Sequence, residues 1–226
     1  FTLILNVSAS EDKLPNKQVE WSFEGIFGKF DRQSIQRGFQ VYKEVCSACH
    51  GLNHLYYRNL EKAGFSKAEV KAIAGEATFK DGPNDEGEMY ERPGKPSDIF
   101  KNPYANEQAA RASNNSAYPV DLSLIIKARP DGANYVYSLL TGYGNKPPEN
   151  MKIMEGLNFN PYFSGMQIAM APPLVDNAVE YQDGTNAKFN FPNSVAVKGP
   201  EIIVADTGNN AIRSIKVSIN ETFVNT

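Results

Sequence analysis

Apolar residues recur at helical spacing over a segment that begins near residue 31. Asp31 is a residue type favoured at helix N-caps, and the apolar positions that follow it at i+4, i+8, i+11, i+14 and i+15 are Ile35, Phe39, Tyr42, Val45 and Cys46. This pattern predicts an amphipathic helix whose end carries both cysteines of the chain. Gly38 costs this helix about 1 kcal/mol relative to alanine, which a close helix crossing would explain.

Shorter helices are predicted further along the chain. Ser66 followed by Glu69 forms a capping-box pattern, which predicts a helix over residues 66–75. Helical spacing also recurs over residues 106–113, 121–127 and 134–141, and the last of these has an apolar stripe formed by Tyr135, Leu139 and Leu140. Residues 76–105 are rich in Gly, Pro and Asp and predict a long irregular excursion. Loop is predicted again after Gly142.

The C-terminal segment has a different pattern. Apolar runs at 189–197 and 202–205, a Thr-Gly-Asn turn at 207–209 and apolar positions at 212, 215 and 217 are strand signals. The expected fold class is therefore mainly α with long irregular loops, plus a short C-terminal β segment.

Both cysteines and one of the two histidines lie within five residues, Cys46-Ser47-Ala48-Cys49-His50. This is the pattern of a c-type haem attachment site. Two thiols three positions apart on one helical turn can each form a thioether to a haem vinyl group, and His50 is placed to reach the iron. The motif therefore predicts one covalent haem c.

Three alternatives exist for the same residues. A thioredoxin-like motif needs a βαβ context, whereas a helix and a loop-rich stretch flank this one. A zinc site would use Cys46, Cys49, His50 and His54, but zinc fingers separate the cysteine pair from the histidine pair by about twelve residues. Two incidental cysteines are the remaining alternative.

The second axial ligand of such a haem must come from elsewhere in the chain. His54 is only four residues from His50 and cannot reach the opposite face. Methionine is a common second ligand, and the chain has five: Met89, Met151, Met154, Met166 and Met170. Met170 is favoured over Met166 because Pro172 and Pro173 stiffen its loop. Filling the core is the alternative role for any methionine.

Composition adds little to this picture. At 226 residues, with 22% charged and 41% hydrophobic residues, the chain can bury a real core. The net charge of −3 suggests no nucleic-acid partner. An acidic cluster could steer a basic protein partner or be a solvated loop; its members are Asp81, Asp85, Glu86, Glu88 and Glu91.

The beginning of the chain bears on its compartment. Residues 1–9 resemble the end of a secretory signal, with Val7 and Ala9 suited to a small-residue cleavage site; a β-strand is the alternative. Export would agree with covalent haem, which is attached on the outer side of energy-conserving membranes. No apolar run reaches about 18 residues, so no transmembrane helix is predicted.

Several separated blocks between about residues 21 and 184 closely resemble the cytochrome c1 family, which contains the haem subunit of the quinol:cytochrome c oxidoreductase (bc1) complex. The blocks lie at residues 38–50, 57–60, 82–87, 92–95, 114–117, 119–123, 135–143 and 166–173. The resemblance implies a cytochrome c-like haem domain held by Cys46 and Cys49. It implies His50 and Met170 as the iron ligands and Arg129 and Tyr135 as haem propionate contacts.

The resemblance also implies partners and a location. The haem would accept one electron from a Rieske iron–sulfur protein and pass it to a soluble cytochrome c, in a membrane complex with cytochrome b. Such a chain is a redox subunit of ubiquinol:cytochrome c oxidoreductase, with no independent catalysis expected. Its location would be the periplasmic side of the bacterial inner membrane or the mitochondrial intermembrane space. The acidic cluster would then take part in docking.

The C-terminal segment departs from the family, which continues into an amphipathic helix that packs across the haem-bearing helix and then a membrane anchor. Residues 189–217 instead resemble a single NHL-type propeller repeat, and without that helix Phe39 and Tyr42 would be less covered. The predicted organisation is a signal-peptide remnant at 1–9, a haem domain at 10–186 and a β-hairpin or NHL-like tail, fused or artefactual, at 187–226.

Two other functions remain open from the sequence. A soluble periplasmic monohaem cytochrome c would suit a chain without an anchor, but the blocks at 82–95 and 114–123 disfavour it. A non-redox interaction protein with a defective cytochrome scaffold would be colourless.

Overall fold

The computed structural model describes residues 13–180 and the backbone of three strands between residues 192 and 216. These residues belong to two compact units that divide between Pro173 and Leu174. The expectations for residues 1–9, a signal remnant or a strand, lie outside the described residues.

Five α-helices form in the described part of the first unit, two of them with the predicted caps. They are α1 (Arg32–Glu44), α2 (Lys67–Gly75), α3 (Glu107–Ser113), α4 (Ile125–Ala128) and α5 (Gly132–Leu140). Asp31 caps α1 by accepting a hydrogen bond from the Gln33 N–H, and Ser66 and Glu69 form the capping box of α2. Short 3₁₀ helices occupy Cys46–Ala48, Tyr57–Ala63 and Ser164–Met166.

The first helix ends before the cysteines, so the predicted continuous helix to Cys46 is wrong at its end. The Ser47 hydroxyl donates to the Lys43 carbonyl oxygen (2.7 Å), satisfying an acceptor that a continuing helix would use. The cysteines lie on a separate 3₁₀ turn. The expected helix crossing at Gly38 is also absent from the described residues, because a Cβ added there would meet nothing within 4 Å.

Helix α4 begins later than predicted. Residues 121–127 were expected to be helical, but the helix starts only at Ile125. The Asp121 carboxylate accepts hydrogen bonds from the backbone N–H groups of Asn53 (2.7 Å) and Ser123 (2.9 Å). These bonds hold the segment before Ile125 against the loop at residue 53, so it does not join the helix.

Four short strands interrupt the segments predicted to be irregular. Strands β1 (Thr78–Asp81) and β2 (Tyr90–Pro93) pair antiparallel, and β3 (Asn158–Phe159) pairs with β4 (Gln167–Ile168). In the turn between β1 and β2 the Asn84 side chain accepts hydrogen bonds from the N–H groups of Glu86 and Glu88. The excursion at 76–105 is therefore partly an ordered hairpin, because a polar turn residue closes it.

An aromatic core joins α1, α2 and the loop that follows the hairpin. Its buried members are Tyr57, Leu60, Val70, Ala74 and Phe100. The ring of Phe39 meets that of Phe65 edge-on with centroids 5.4 Å apart, and Tyr42 meets Phe100 at 6.2 Å. Phe39 and Tyr42 are only half-buried, and α1 contains no fully buried residue.

The buried face of α5 is polar, which the predicted apolar stripe does not explain. Its buried residues are Asn134 and Ser138, whereas Tyr135, Leu139 and Leu140 are half-buried. The Lys17 N–H donates to the Ser138 hydroxyl (2.8 Å), and the Trp21 indole donates to the Asn134 side-chain oxygen (2.8 Å). An extended N-terminal segment therefore covers this face through hydrogen bonds.

The second unit contains a three-stranded antiparallel sheet. Strands β5 (Pro192–Lys198), β6 (Glu201–Asp206) and β7 (Ala211–Lys216) pair in sequence order. This sheet is one meander, and the described residues form no propeller, so the NHL-type resemblance gains no support. In the described part of the chain, no helix has both the length and the apolar character needed to cross a membrane.

Candidate functional site

His50 is held by a loop some seventy residues later in the chain. Its ring donates through Nδ1 to the Val120 carbonyl oxygen (2.7 Å). The Leu122 N–H donates to the Gly51 carbonyl oxygen (3.0 Å) and fixes the same pair of loops. Because Nδ1 carries the proton, Nε2 keeps its lone pair for a metal ion.

The two cysteines precede this histidine as free, half-buried thiols. Burial raises the pKa of the Cys46 thiol above its usual range. The Tyr104 hydroxyl lies 3.8 Å from the Cys49 sulfur and itself accepts from the Asn114 side-chain amide (2.9 Å). Within residues 13–180 no three His, Cys, Asp or Glu side chains gather as a metal-binding group.

Met170 lies in the loop after β4, half-buried, with its backbone fixed by two side chains. Its carbonyl oxygen accepts from the Tyr143 hydroxyl (3.0 Å) and from the Asn158 side-chain amide (3.4 Å). Met166 is also half-buried and has a left-handed backbone (φ 57°). Met89 and Met154 are more than 60% exposed.

The residues predicted to contact haem propionates lie just before α5 and in its first half. Arg129 precedes this helix and is half-buried, and its guanidinium Nη1 donates to the Ala128 carbonyl oxygen (3.0 Å). Tyr135 is a half-buried residue of α5. Burial, with a smaller contribution from the nearby Tyr135, raises the pKa of Tyr143 above its usual range, so this hydroxyl stays protonated and can donate.

Large apolar side chains remain exposed beside the loop that holds His50. Tyr118, Val120, Leu124 and Ile126 are between 40% and 51% exposed. A haem is a large, mostly apolar disc, and side chains of this type would gain by being covered by one. Free thiols, an oriented imidazole and this exposed apolar set together fit a covalently attached haem.

The acidic cluster of the sequence divides into two parts. Asp81 forms an ion pair with Arg92, which also binds Asp98 (2.6 Å) and so anchors the base of the β1–β2 hairpin. The remaining acids are exposed in the turn of the hairpin and in β2, at Asp85, Glu86, Glu88 and Glu91. Only this second group is free to act as a surface charge.

Sequence reasoning missed the residues that fix the two predicted iron ligands. Val120 contributes a backbone carbonyl, and Asn158 and Tyr143 donate to a backbone carbonyl, so none of them has a motif of its own. Tyr143 lies in one of the blocks that carry the family resemblance, which was the only signal available for it.

Comparisons with known proteins agree on one family. The model of the Cytochrome C1 family matches residues 21–192. The chain is 50% identical over 187 residues to "Cytochrome c1 1, heme protein, mitochondrial" of Arabidopsis thaliana, covering 83% of this chain and 61% of the relative. It is 51% identical over 181 residues to "Cytochrome b-c1 complex catalytic subunit, mitochondrial" of Candida albicans, covering 80% and 63%.

A bacterial protein gives a similar match. The chain is 45% identical over 194 residues to "Cytochrome c1" of Rhodospirillum rubrum, covering 79% of this chain and 71% of the relative. Against the two mitochondrial relatives, the chain spans 61% and 63% of their length.

Proposed function

The chain belongs to the cytochrome c1 family, and on that premise we propose that it binds one covalent haem c and carries electrons within a bc1-type complex. The observation that carries the proposal is the placement of His50, which follows two free thiols and whose Nδ1 is bound by the Val120 carbonyl oxygen. In the neutral imidazole, that bond places the proton on Nδ1, so Nε2 is the nitrogen that can bind a metal ion, and it orients the ring.

The chain's own residues would hold the group as follows. Cys46 and Cys49 form the thioethers, and His50 is the proximal ligand. Met170 is the second ligand, in a loop fixed through its carbonyl oxygen. When bound, haem c supplies one-electron chemistry whose potential depends on its axial ligands. A methionine as the second ligand would raise the reduction potential relative to a second histidine.

Arg129 and Tyr135 are proposed to bind the haem propionates. A guanidinium beside a propionate would form a charge-assisted hydrogen bond and offset the carboxylate charge. Arg129 is half-buried next to α5, and Tyr135 lies in the first half of the same helix. Tyr143, which follows the C-terminal end of this helix, donates its hydroxyl hydrogen bond to the Met170 carbonyl oxygen.

The proposed partners follow from family membership and from surface charge. The donor is a Rieske iron–sulfur protein, the acceptor is a soluble cytochrome c, and cytochrome b belongs to the same complex. Exposed acids around the hairpin tip would attract a basic acceptor and speed its docking at low ionic strength. The location would be the periplasmic side of the bacterial inner membrane or the mitochondrial intermembrane space.

The test is to express the chain with haem-maturation machinery and to record reduced-minus-oxidised spectra. The proposal expects a c-type spectrum, haem that stays with the denatured protein, and the weak band near the red edge that reports methionine bound to ferric haem. Met170→Leu should abolish that band, and Met166→Leu, the control, should retain it. A colourless protein would refute the haem assignment, and a band that survives in Met170→Leu would refute the ligand assignment.

A further inference from the structure

The backbone of Met170 is held by two side chains from earlier in the chain. The Tyr143 hydroxyl donates to the Met170 carbonyl oxygen at 3.0 Å, and the Asn158 side-chain amide donates to the same oxygen at 3.4 Å. Tyr143 lies three residues after the last residue of α5, whereas Asn158 lies in β3, opposite Ile168 of β4. Two elements therefore converge on one backbone atom of the proposed ligand.

The buried Asn160 connects the two elements from which these donors come. Asn160 is fully buried, and its side-chain amide donates to the Leu139 carbonyl oxygen in α5 (2.7 Å). Its backbone N–H donates to the Met166 carbonyl oxygen (2.9 Å), four residues before Met170. Asn160 therefore bonds both to the C-terminal end of α5, three residues before Tyr143, and to the segment that leads to Met170.

We propose that Tyr143 is a positioning residue for the axial methionine, acting through the Met170 carbonyl oxygen with Asn158 as its auxiliary. This inference rests on the proposed function, because it assumes that Met170 is the second ligand. A backbone held at this point limits how far the thioether can move from the iron. Removing the hydroxyl lets the loop open more often, so a competing ligand displaces the methionine more easily.

The experiment titrates the haem-loaded full chain, in its ferric form, with imidazole and follows the red-edge band. The main variant is Tyr143→Phe, which keeps the ring and removes the hydroxyl. The control is Tyr137→Phe, which removes a hydroxyl from a tyrosine of α5 that packs against Trp21 and Lys17. Asn158→Ala removes the auxiliary donor.

In Tyr143→Phe, the imidazole concentration that displaces half of the methionine should fall roughly 2- to 10-fold, the range for loss of one net hydrogen bond. Asn158→Ala should show a smaller fall, because its bond is longer, and Tyr137→Phe should match the unchanged chain. A merely structural role would lower the melting temperature without changing the imidazole affinity of the folded protein.

The outcomes separate this inference from the proposed function. If Met170→Leu keeps the band, the ligand assignment is wrong, and the positioning role of Tyr143 is wrong as well. If Met170→Leu loses the band but Tyr143→Phe titrates like Tyr137→Phe, the positioning role is wrong and the ligand assignment stands. If Tyr143→Phe takes up no haem, Asn158→Ala decides, and a titration that matches Tyr137→Phe overturns the proposal.

Discussion

Replacing Asn160 by alanine should cost more stability than any other single amide removal near the Met170 loop. Asn160 is fully buried between α5 and that loop. Its side chain makes two hydrogen bonds, donating to the Leu139 carbonyl oxygen (2.7 Å) and accepting from the Tyr162 N–H (3.1 Å). Tyr162 is itself buried, so water cannot easily replace the lost partner.

The two bonds differ in what their loss leaves behind. The Leu139 carbonyl oxygen keeps the Gly142 N–H as a partner (3.2 Å), so losing the amide costs about 0.5–1.5 kcal/mol. The Tyr162 N–H loses its side-chain acceptor inside the protein, which costs about 1–3 kcal/mol. The sum predicts a loss of about 2–4 kcal/mol in the free energy of unfolding for Asn160→Ala.

Urea unfolding followed by the fluorescence of Trp21, the single tryptophan, measures this loss. Trp21 contacts α5 through Asn134, so its emission reports on the helix concerned. The matched control is Asn145→Ala, because Asn145 donates the same kind of bond to the Gly142 carbonyl oxygen (2.8 Å) but is exposed. Water can replace that donor, so less than about 1 kcal/mol should be lost. Losses within 0.5 kcal/mol of each other, on the order of measurement error, would refute the argument from burial.

Three further predictions concern other parts of the first unit. Hydrogen bonds from Arg92 hold the pKa of Asp98 below its usual range, so Asp98→Asn should lower the free energy of unfolding by roughly 1–3 kcal/mol at pH 7. That difference should shrink as the pH falls below about 4, because the unfolded carboxyl becomes protonated there while the native carboxylate, with its lower pKa, still carries its charge. Urea unfolding at pH 7 and pH 3 measures the change. Gly38→Ala should stabilise the chain by about 0.5–1 kcal/mol and so raise its thermal midpoint, because alanine has the higher helix propensity and an added Cβ meets no atom within 4 Å. A lower midpoint would contradict the open space seen there. Gly142→Ala should instead destabilise by about 1–3 kcal/mol in urea, because its Cβ would lie 2.7 Å from the Asn160 side-chain oxygen and 2.8 Å from the Tyr162 ring; an unchanged midpoint would show that the loop shifts freely.

Features that depend on near neighbours in sequence were predictable. Asp31 and Ser66 each cap a helix where the sequence predicts a cap, because the interaction spans only two or three residues. The haem motif at 46–50 is equally local, since spacing alone brings two thiols and an imidazole together. Only its backbone differed, as the Ser47 hydroxyl ends α1 before the cysteines.

Features that depend on distant backbone atoms were not predictable. The partner of His50 is a carbonyl oxygen at residue 120, and a carbonyl oxygen is present at every residue. Helix α4 starts late because Asp121 binds the Asn53 N–H, on a loop that periodicity does not place beside it. The β1–β2 hairpin was missed because its strands are only four residues long and lie within Gly- and Pro-rich sequence.

Helix α5 shows why the stripe of apolar residues was a poor guide at this site. Its buried residues, Asn134 and Ser138, hold the segment that contains Lys17 and Trp21, and its C-terminal end holds the Met170 loop through Asn160. Apolar contacts tolerate small sliding movements, whereas hydrogen bonds between buried groups are satisfied only near one alignment. A helix fixed by polar contacts on two sides has one position rather than several. That property suits an element next to the loop of Met170, the proposed second iron ligand, because a polar face holds its neighbours in one alignment.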